Sequence, residues 1–157
     1  MTFAAVGSPF LDANSTFSLT PHGVGNLILA EVNVKFQTDV HPTGLSSSNV
    51  TWTQIGTTFT GPVAGQVAAV YAGVVTSTST ATVTVSFDGA IPDFFQVEGQ
   101  EFSSTVGSWA LDVQGHIDSG GTNTWASLTR LAPGSCTSAT PLTTPGPSRA
   151  ARRASPT

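Results

Sequence analysis

Three histidines with acids nearby are the residues of this chain whose types and spacing could do chemistry. Asp39 and His41 stand two apart in "DVH", and His116 and Asp118 two apart in "HID". In a strand that spacing puts both side chains on one side of the sheet. A tetrahedral zinc site needs three or four such ligands. Neither pair has a third at motif spacing, and His22 brings none, so all three read as loop histidines and no metal is expected. Asp88 in "FDGAIPD" suggests calcium at first sight, but Asp-Gly directly after a strand is the usual signal of a turn. Serine is plentiful, yet no G-x-S-x-G elbow raises one of them to a nucleophile. Lys35 lacks the glycine-rich approach of a phosphate-binding loop. The expectation is a protein with no catalytic residue and no cofactor, hence not an enzyme.

Binding by aromatic stacking is the chemistry that survives. A β-sandwich can present rings to sugars, and Phe94, on the polar side of "FQVEGQ", Tyr71 and Trp125 are the candidate ligand-binding residues, with a place in the core as the competing reading for each. Trp52 shares its parity with Val50, and Trp109 with Leu111 and Val113, which assigns both to the core; the core is expected to include Phe17, Leu19, Ile28, Val32, Val34, Val50, Trp52, Val83, Val85, Val97 and Leu111.

The elements that would position these rings are strands. Charged residues are only 9% of the 157 residues, against about 25% in an average soluble domain. Thr and Val favour pleated strands, and no helical periodicity runs beyond a turn or two. Strands are expected near 2–6, 15–20, 26–36, 49–55, 66–75, 80–87, 94–102, 109–114 and 123–129. In "TATVTVSF", Ala81, Val83, Val85 and Phe87 take one face and threonines with Ser86 the other, giving one buried face and one wet one. In "NLILAEVNVKF", Ile28, Ala30, Val32, Val34 and Phe36 form the core stripe, while Leu27 and Leu29 on the opposite face call for partial cover there. Such stripes, with short Gly, Pro, Asn and Asp connections, imply an all-β, antiparallel two-sheet sandwich of Ig-like or jelly-roll-like type.

The chain changes character near residue 130. From Met1 to Thr129 there are one lysine, no arginine and nine acids, a net charge of −8; from Arg130 onward there are four arginines and no acid, a net of +4. The last aromatic is Trp125. "TFSLTPHGVGNLIL" (16–29) has a partial copy in "TWASLTRLAPGSCTS" (124–138), in which Ser127-Leu128-Thr129 and Gly134 match but the apolar strand is replaced by Cys136-Thr137-Ser138. Each copy reads as a hairpin-like unit of strand, turn and strand, the second truncated by a change of reading frame, by the end of the domain or by a natural Pro/Thr-rich linker. The expected division is a sandwich domain over 1–130 and a disordered Pro/Ser/Thr/Arg-rich tail over 131–157, too poor in apolar surface to offset ordering entropy. A sheet left without its last strand would keep an open edge, a route to oligomers.

An acidic, nearly lysine-free body argues against nucleic acid, whose binding rests on clustered Lys and Arg; Arg149, Arg152 and Arg153 read as a solvated terminus. No apolar run approaches the roughly 20 residues of a membrane span. "MTFAAVGSPF" lacks the basic start and apolar core of a signal peptide. Cys136, alone, makes no internal disulfide.

Read in order, "GNLILAEV", "VTWTQIG", "VAAVYAGVV", "ATVTVSF" and "EFSSTVGSWALDV" resemble a β-sandwich module that recurs in bacterial surface and phage-associated proteins. The resemblance covers roughly residues 15–129 and rests on Gly25, Asn26, Leu27, Trp52, Thr53, Gly56, Tyr71, Ala72, Val83, Val85, Glu101, Phe102, Ser103, Leu111, Asp112 and Val113, with Ser104 departing from the usual glycine. It implies a structural or adhesive module and brings no catalytic residues. The resulting expectation is a non-enzymatic module of a virion or bacterial surface assembly, with protein assembly partners or surface glycans as ligands, located in the virion, outside the cell or at its surface. A carbohydrate-binding module using exposed aromatics is the alternative.

Overall fold

The computed structural model describes residues 3–37, 39–61, 66–105 and 109. They form eight strands: β1 (Phe3–Asp12), β2 (Thr16–Leu19), β3 (Leu27–Lys35), β4 (Pro42–Ser46), β5 (Val50–Thr60), β6 (Gln66–Val75), β7 (Ala81–Phe87) and β8 (Phe95–Ser104). A five-stranded sheet runs β1-β8-β3-β6-β5 and a three-stranded sheet β2-β7-β4, with every pairing antiparallel. The all-β, two-sheet expectation therefore holds. The expected strands at 109–114 and 123–129, Leu111, the tail over 131–157 and the domain boundary at 130 lie outside the described residues.

Alternation decides which side of each sheet is dry. Phe17, Leu45, Val83 and Val85 from the smaller sheet meet Ala30, Val32, Val34, Val67, Ala69, Tyr71, Phe95 and Val97 from the larger in one core, and Ile28, Val50 and Val75 extend it toward one end. Leu19 and Trp52, both expected in the core, pack against it half-buried. Trp52 lies across Gly73 of the neighbouring strand, where a β-carbon would come within 2.6 Å of its ring. The missing side chain at Gly73 makes room for the indole, whose Nε1 donates to Ser47 Oγ at 3.1 Å. Leu27 and Leu29 on the reverse face are half-buried, as their parity requires.

Three expectations are corrected. Phe36 does not complete the stripe of β3: it is 76% exposed, because a left-handed φ of 64° at this residue ends the strand and turns the ring outward. β4 has no alternation to betray it, since "PTGLS" opens on a proline and contains Gly44 with a register shift between them. The "SLTPHGVGNL" unit is not a hairpin, for β2 and β3 lie in different sheets. Among the described residues only β5 and β6 are consecutive strands paired in one sheet; the other connections arch between the sheets.

These arches gather at the two ends of the sandwich. One end carries the connections β2–β3, β4–β5 and β6–β7, and the other carries β1–β2, β3–β4, β7–β8 and the β5–β6 hairpin, as the antiparallel registers require.

Candidate functional site

The β2–β3 end is closed by buried polar side chains. Glu101, on the inner face of β8 opposite Ile28, is only 6% exposed. Its carboxylate accepts the backbone N–H of His22 at 3.0 Å and of Gly23 at 3.2 Å, and the Asn26 Nδ2–H at 2.6 Å. The His22 ring nitrogen Nδ1 lies 2.9 Å from Oε2. Burial alone would raise the pKa of this carboxyl, but the hydrogen bonds from Asn26, His22 and Gly23 together outweigh it and hold the group below the usual range. The His22 ring lies where a β-carbon on Gly7 would be, and Gly7 itself has a φ of 68°, so the bulge in β1 makes room for the imidazole. Gly25 donates to the Val75 carbonyl at 2.9 Å and accepts the Trp109 indole N–H at 2.8 Å. Asn49, 1% exposed, does the same for the adjoining loops: its side-chain amide donates to Leu19 O and Ser79 O at 3.1 and 2.9 Å, and its backbone carbonyl accepts the N–H of Thr76 at 2.8 Å. Apart from Asn49 Oδ1, which is buried without a partner, these donors and acceptors are consumed in holding loops.

The β3–β4 end reverses the pattern. The N–H of Lys35, the last residue of β3, donates to Phe94 O at 2.9 Å and ties the exit of β3 to the start of β8. On that tie Phe36 and Phe94 stand side by side, ring centroids 5.5 Å apart and planes at 86°. They are 76% and 60% exposed. Alternation at the start of β8 sends the next ring inward, so Phe95 is buried and meets Phe87 edge-on at 5.1 Å. Ile91, in the same loop as Phe94, is also exposed.

The loops beneath this pair are braced. Asp88 Oδ1 accepts the His41 N–H at 2.6 Å, its Oδ2 lies 2.8 Å from His41 Nδ1, and the Asp88 N–H donates to His41 O at 3.1 Å. The hydrogen bond from the His41 backbone, then that from its ring, hold the Asp88 carboxyl below its ordinary value. His41 thus pairs with an acid 47 residues away, not with Asp39. Asp88 serves the turn, through its side chain. Among the described residues no three His, Cys, Asp or Glu side chains gather closely enough to hold a metal ion.

Of the three candidate ligand-binding residues, Phe94 is on the surface. Tyr71 is buried, 1% exposed, in the core. Parity places its ring on the inner face of β6, in the strand row that Ala30 and Gln54 share. Its hydroxyl has no hydrogen-bond partner, and burial pushes its pKa up to about 12. Trp125 lies outside the described residues, as do His116 and Asp118. Phe36 is the exposed ring that alternation hides, and its one sequence signal is the stretch "FQTDVHP", where the apolar pattern stops. What the site offers chemically is an apolar, edge-to-face aromatic surface on a fixed base. Comparison of the chain with family models, with curated proteins and with solved structures finds no match in any of the three.

Proposed function

We propose that this chain is a non-catalytic structural or adhesive module of a virion or bacterial surface assembly, which engages a protein partner through the β3–β4 end of its sandwich. The observation that carries the reading is the Phe36–Phe94 pair. A non-glycine residue with positive φ costs free energy and is sparsely used, and here that cost places a phenyl ring in water, where its aromatic contact is with a second exposed ring, Phe94. Phenyl rings also supply the apolar anchors from which protein interfaces draw most of their energy. The placement in a virion or surface assembly draws on the resemblance carried by "GNLILAEV" to "EFSSTVGSWALDV".

The test is a pull-down of intact particles or cell-surface fractions by the purified chain, set against the Phe36→Ser/Phe94→Ser variant. Retention by the parent chain and loss in the variant, with an unchanged melting curve, supports the reading. Binding on a glycan array that disappears in Phe94→Ala replaces it with the carbohydrate-binding alternative.

A further inference from the structure

The two sheets have four edge strands among the described residues, and three of them carry devices that discourage pairing. β1 contains Pro9, a positive-φ Gly7, a register break between Val6 and Phe10, and Asp12. β2 is four residues long. β4 is five residues long and begins with Pro42 beside a register shift. β5 differs in its first half: a positive-φ Gly56 and a register break between Ile55 and Phe59 interrupt its far end, but Val50–Thr60 has no charged residue and no proline, and its pairing with β6 is regular from Val50 to Ile55.

Which backbone groups of β5 face outward follows from its neighbour. Val75 donates its N–H to Asn26 O and accepts the N–H of Gly25, both at 2.9 Å, so its backbone groups point toward β3. Direction alternates along an antiparallel ladder, so Val74, Ala72 and Val70 turn theirs toward β5, where they meet Thr51, Thr53 and Ile55. The Thr76 N–H, in step with Val74, indeed reaches Asn49 O at 2.8 Å. Val50, Trp52 and Gln54 therefore aim their N–H and C=O groups away from β6, along the open side of the sheet.

We infer that β5 pairs antiparallel with β5 of a second copy of this chain, about a two-fold axis at Trp52, so that two five-stranded sheets become one continuous sheet. Three outward residues spaced two apart are self-complementary about the middle one. Trp52 exchanges both bonds with its own equivalent, Val50 with Gln54 and Gln54 with Val50, and every outward N–H and C=O of the three is satisfied. Thr51 and Thr53, both exposed, face each other across the axis as a close β-branched pair of the kind that stabilises sheets. The charge-free edge lets two copies of an acidic body approach without like charges meeting at the seam. A closed two-fold contact of this sort uses one surface on both partners. It lies along the side of the sandwich, apart from the Phe36–Phe94 pair, so the two surfaces are tested separately.

Sedimentation equilibrium of the full chain at about 100 μM, where even a micromolar association is nearly saturated, should show a dimer. Gln54→Pro removes one outward N–H and leaves the β5–β6 ladder intact, as proline tolerates an edge whose N–H faces solvent. It should weaken dimerisation at least about tenfold, while at concentrations low enough for the parent to be monomeric its melting curve should differ from the parent's only by the lost hydrogen bond from Gln54 Nε2 to Thr58 Oγ1. The variants Thr51→Lys/Thr53→Lys and Thr51→Glu/Thr53→Glu should each sediment as monomers, and an equimolar mixture should restore the dimer. A monomeric parent chain, a dimer indifferent to these variants, or a mixture that stays monomeric would overturn the inference.

Discussion

At one end of this sandwich a carboxylate and an amide are buried among loops; at the other, two phenyl rings stand in solvent. Each reverses the usual sorting of polar groups outward and apolar groups inward, and the two reversals have different explanations. Glu101 and Asn49 are inside because the arches between sheets leave backbone N–H and C=O groups that no ladder satisfies, and buried groups of that kind must find partners. Their burial is accounted for by the fold. Phe36 and Phe94 satisfy nothing within the fold, and the backbone at Phe36 is held in a costly conformation to keep its ring out. A polar group inside that holds loops together is explained by the architecture, whereas an apolar group outside on a strained base is not, and that difference is what supports the proposed docking surface.

The largest expected effect breaks the closed end. Glu101→Ala strips the acceptor from the N–H groups of His22 and Gly23 and from Asn26 at once. The loss should be about 3 kcal/mol in a urea titration, since each orphaned donor near the core costs on the order of 1 kcal/mol or more. Phe94→Ala at the open end should cost under about 1 kcal/mol, the range of an exposed aromatic pair. Equal losses at the two ends would erase the distinction between them.

Between the ends lies a third misplaced group. Glu31 faces Glu98 directly across β3 and β8, with Val70 on its other side, and is 7% exposed. Burial first, then the repulsion of Glu98, push its pKa up to about 7 from 4.5, against a weak hydrogen bond from Asn33. The described residues that share its face bring Gln66, Gln96 and Gln100 from the flanking strands and one cation, Lys35, four residues along β3. A folded-state value above the unfolded one means that the fold favours the protonated form, so the penalty is absent below about 4.5 and complete above about 7. Stability should therefore fall as pH rises through that window. Glu31→Gln should raise stability by about 2 to 3 kcal/mol at pH 8 and by much less at pH 4.5, since a tenfold change in proton affinity is worth about 1.4 kcal/mol. The carboxyls of Glu101 and Asp88, held below their ordinary values, act in the opposite sense and withdraw their contribution only below that window. Denaturant titrations of both proteins at the two pH values check the sign, and a parent chain more stable at pH 8 than at pH 4.5 would contradict it.

Much of this fold can be read from alternation. β2, β3, β6 and β7 fall within a residue or so of their expected bounds, and Ile28, Val32, Val34, Val50, Val83, Val85 and Val97 are buried as expected. Alternation fails where the backbone breaks period. The bulges in β1 and β5 hide how far those strands run, to Asp12 and Thr60, and the proline and glycine of β4 hide it altogether. Phe36 escapes the pattern because period two says nothing of a left-handed residue that ends the strand. Glu101 and Asn26 stand in the sequence as separate motifs, Glu-Phe-Ser and Gly-Asn-Leu. Their bond spans 75 residues, and no local spacing reveals it. His41 finds Asp88 rather than Asp39 for the same reason. Of the candidate site, Phe94 is legible from its place on a polar face. Tyr71 is not, because an aromatic on a strand looks alike from either side until the register is known.

The smallest effect isolates the strain itself. Phe36→Gly and Phe36→Ala both delete the ring and its contact with Phe94, so whatever the pair contributes is lost equally from each. They differ in the cost of a φ of 64°, which glycine adopts freely and alanine does not. Glycine is also more costly to order from the unfolded chain, by about 0.4 to 1 kcal/mol, and this offsets part of the roughly 1 to 2 kcal/mol that a left-handed conformation imposes on an L-residue. The glycine variant should therefore remain the more stable by about 1 kcal/mol or somewhat less in paired urea titrations. If instead the alanine variant is equal or better, the backbone at Phe36 relaxes once the ring is gone. The phenyl pair would then be the cause of the turn and not its cargo, and the open end would owe its shape to the two rings packing on each other.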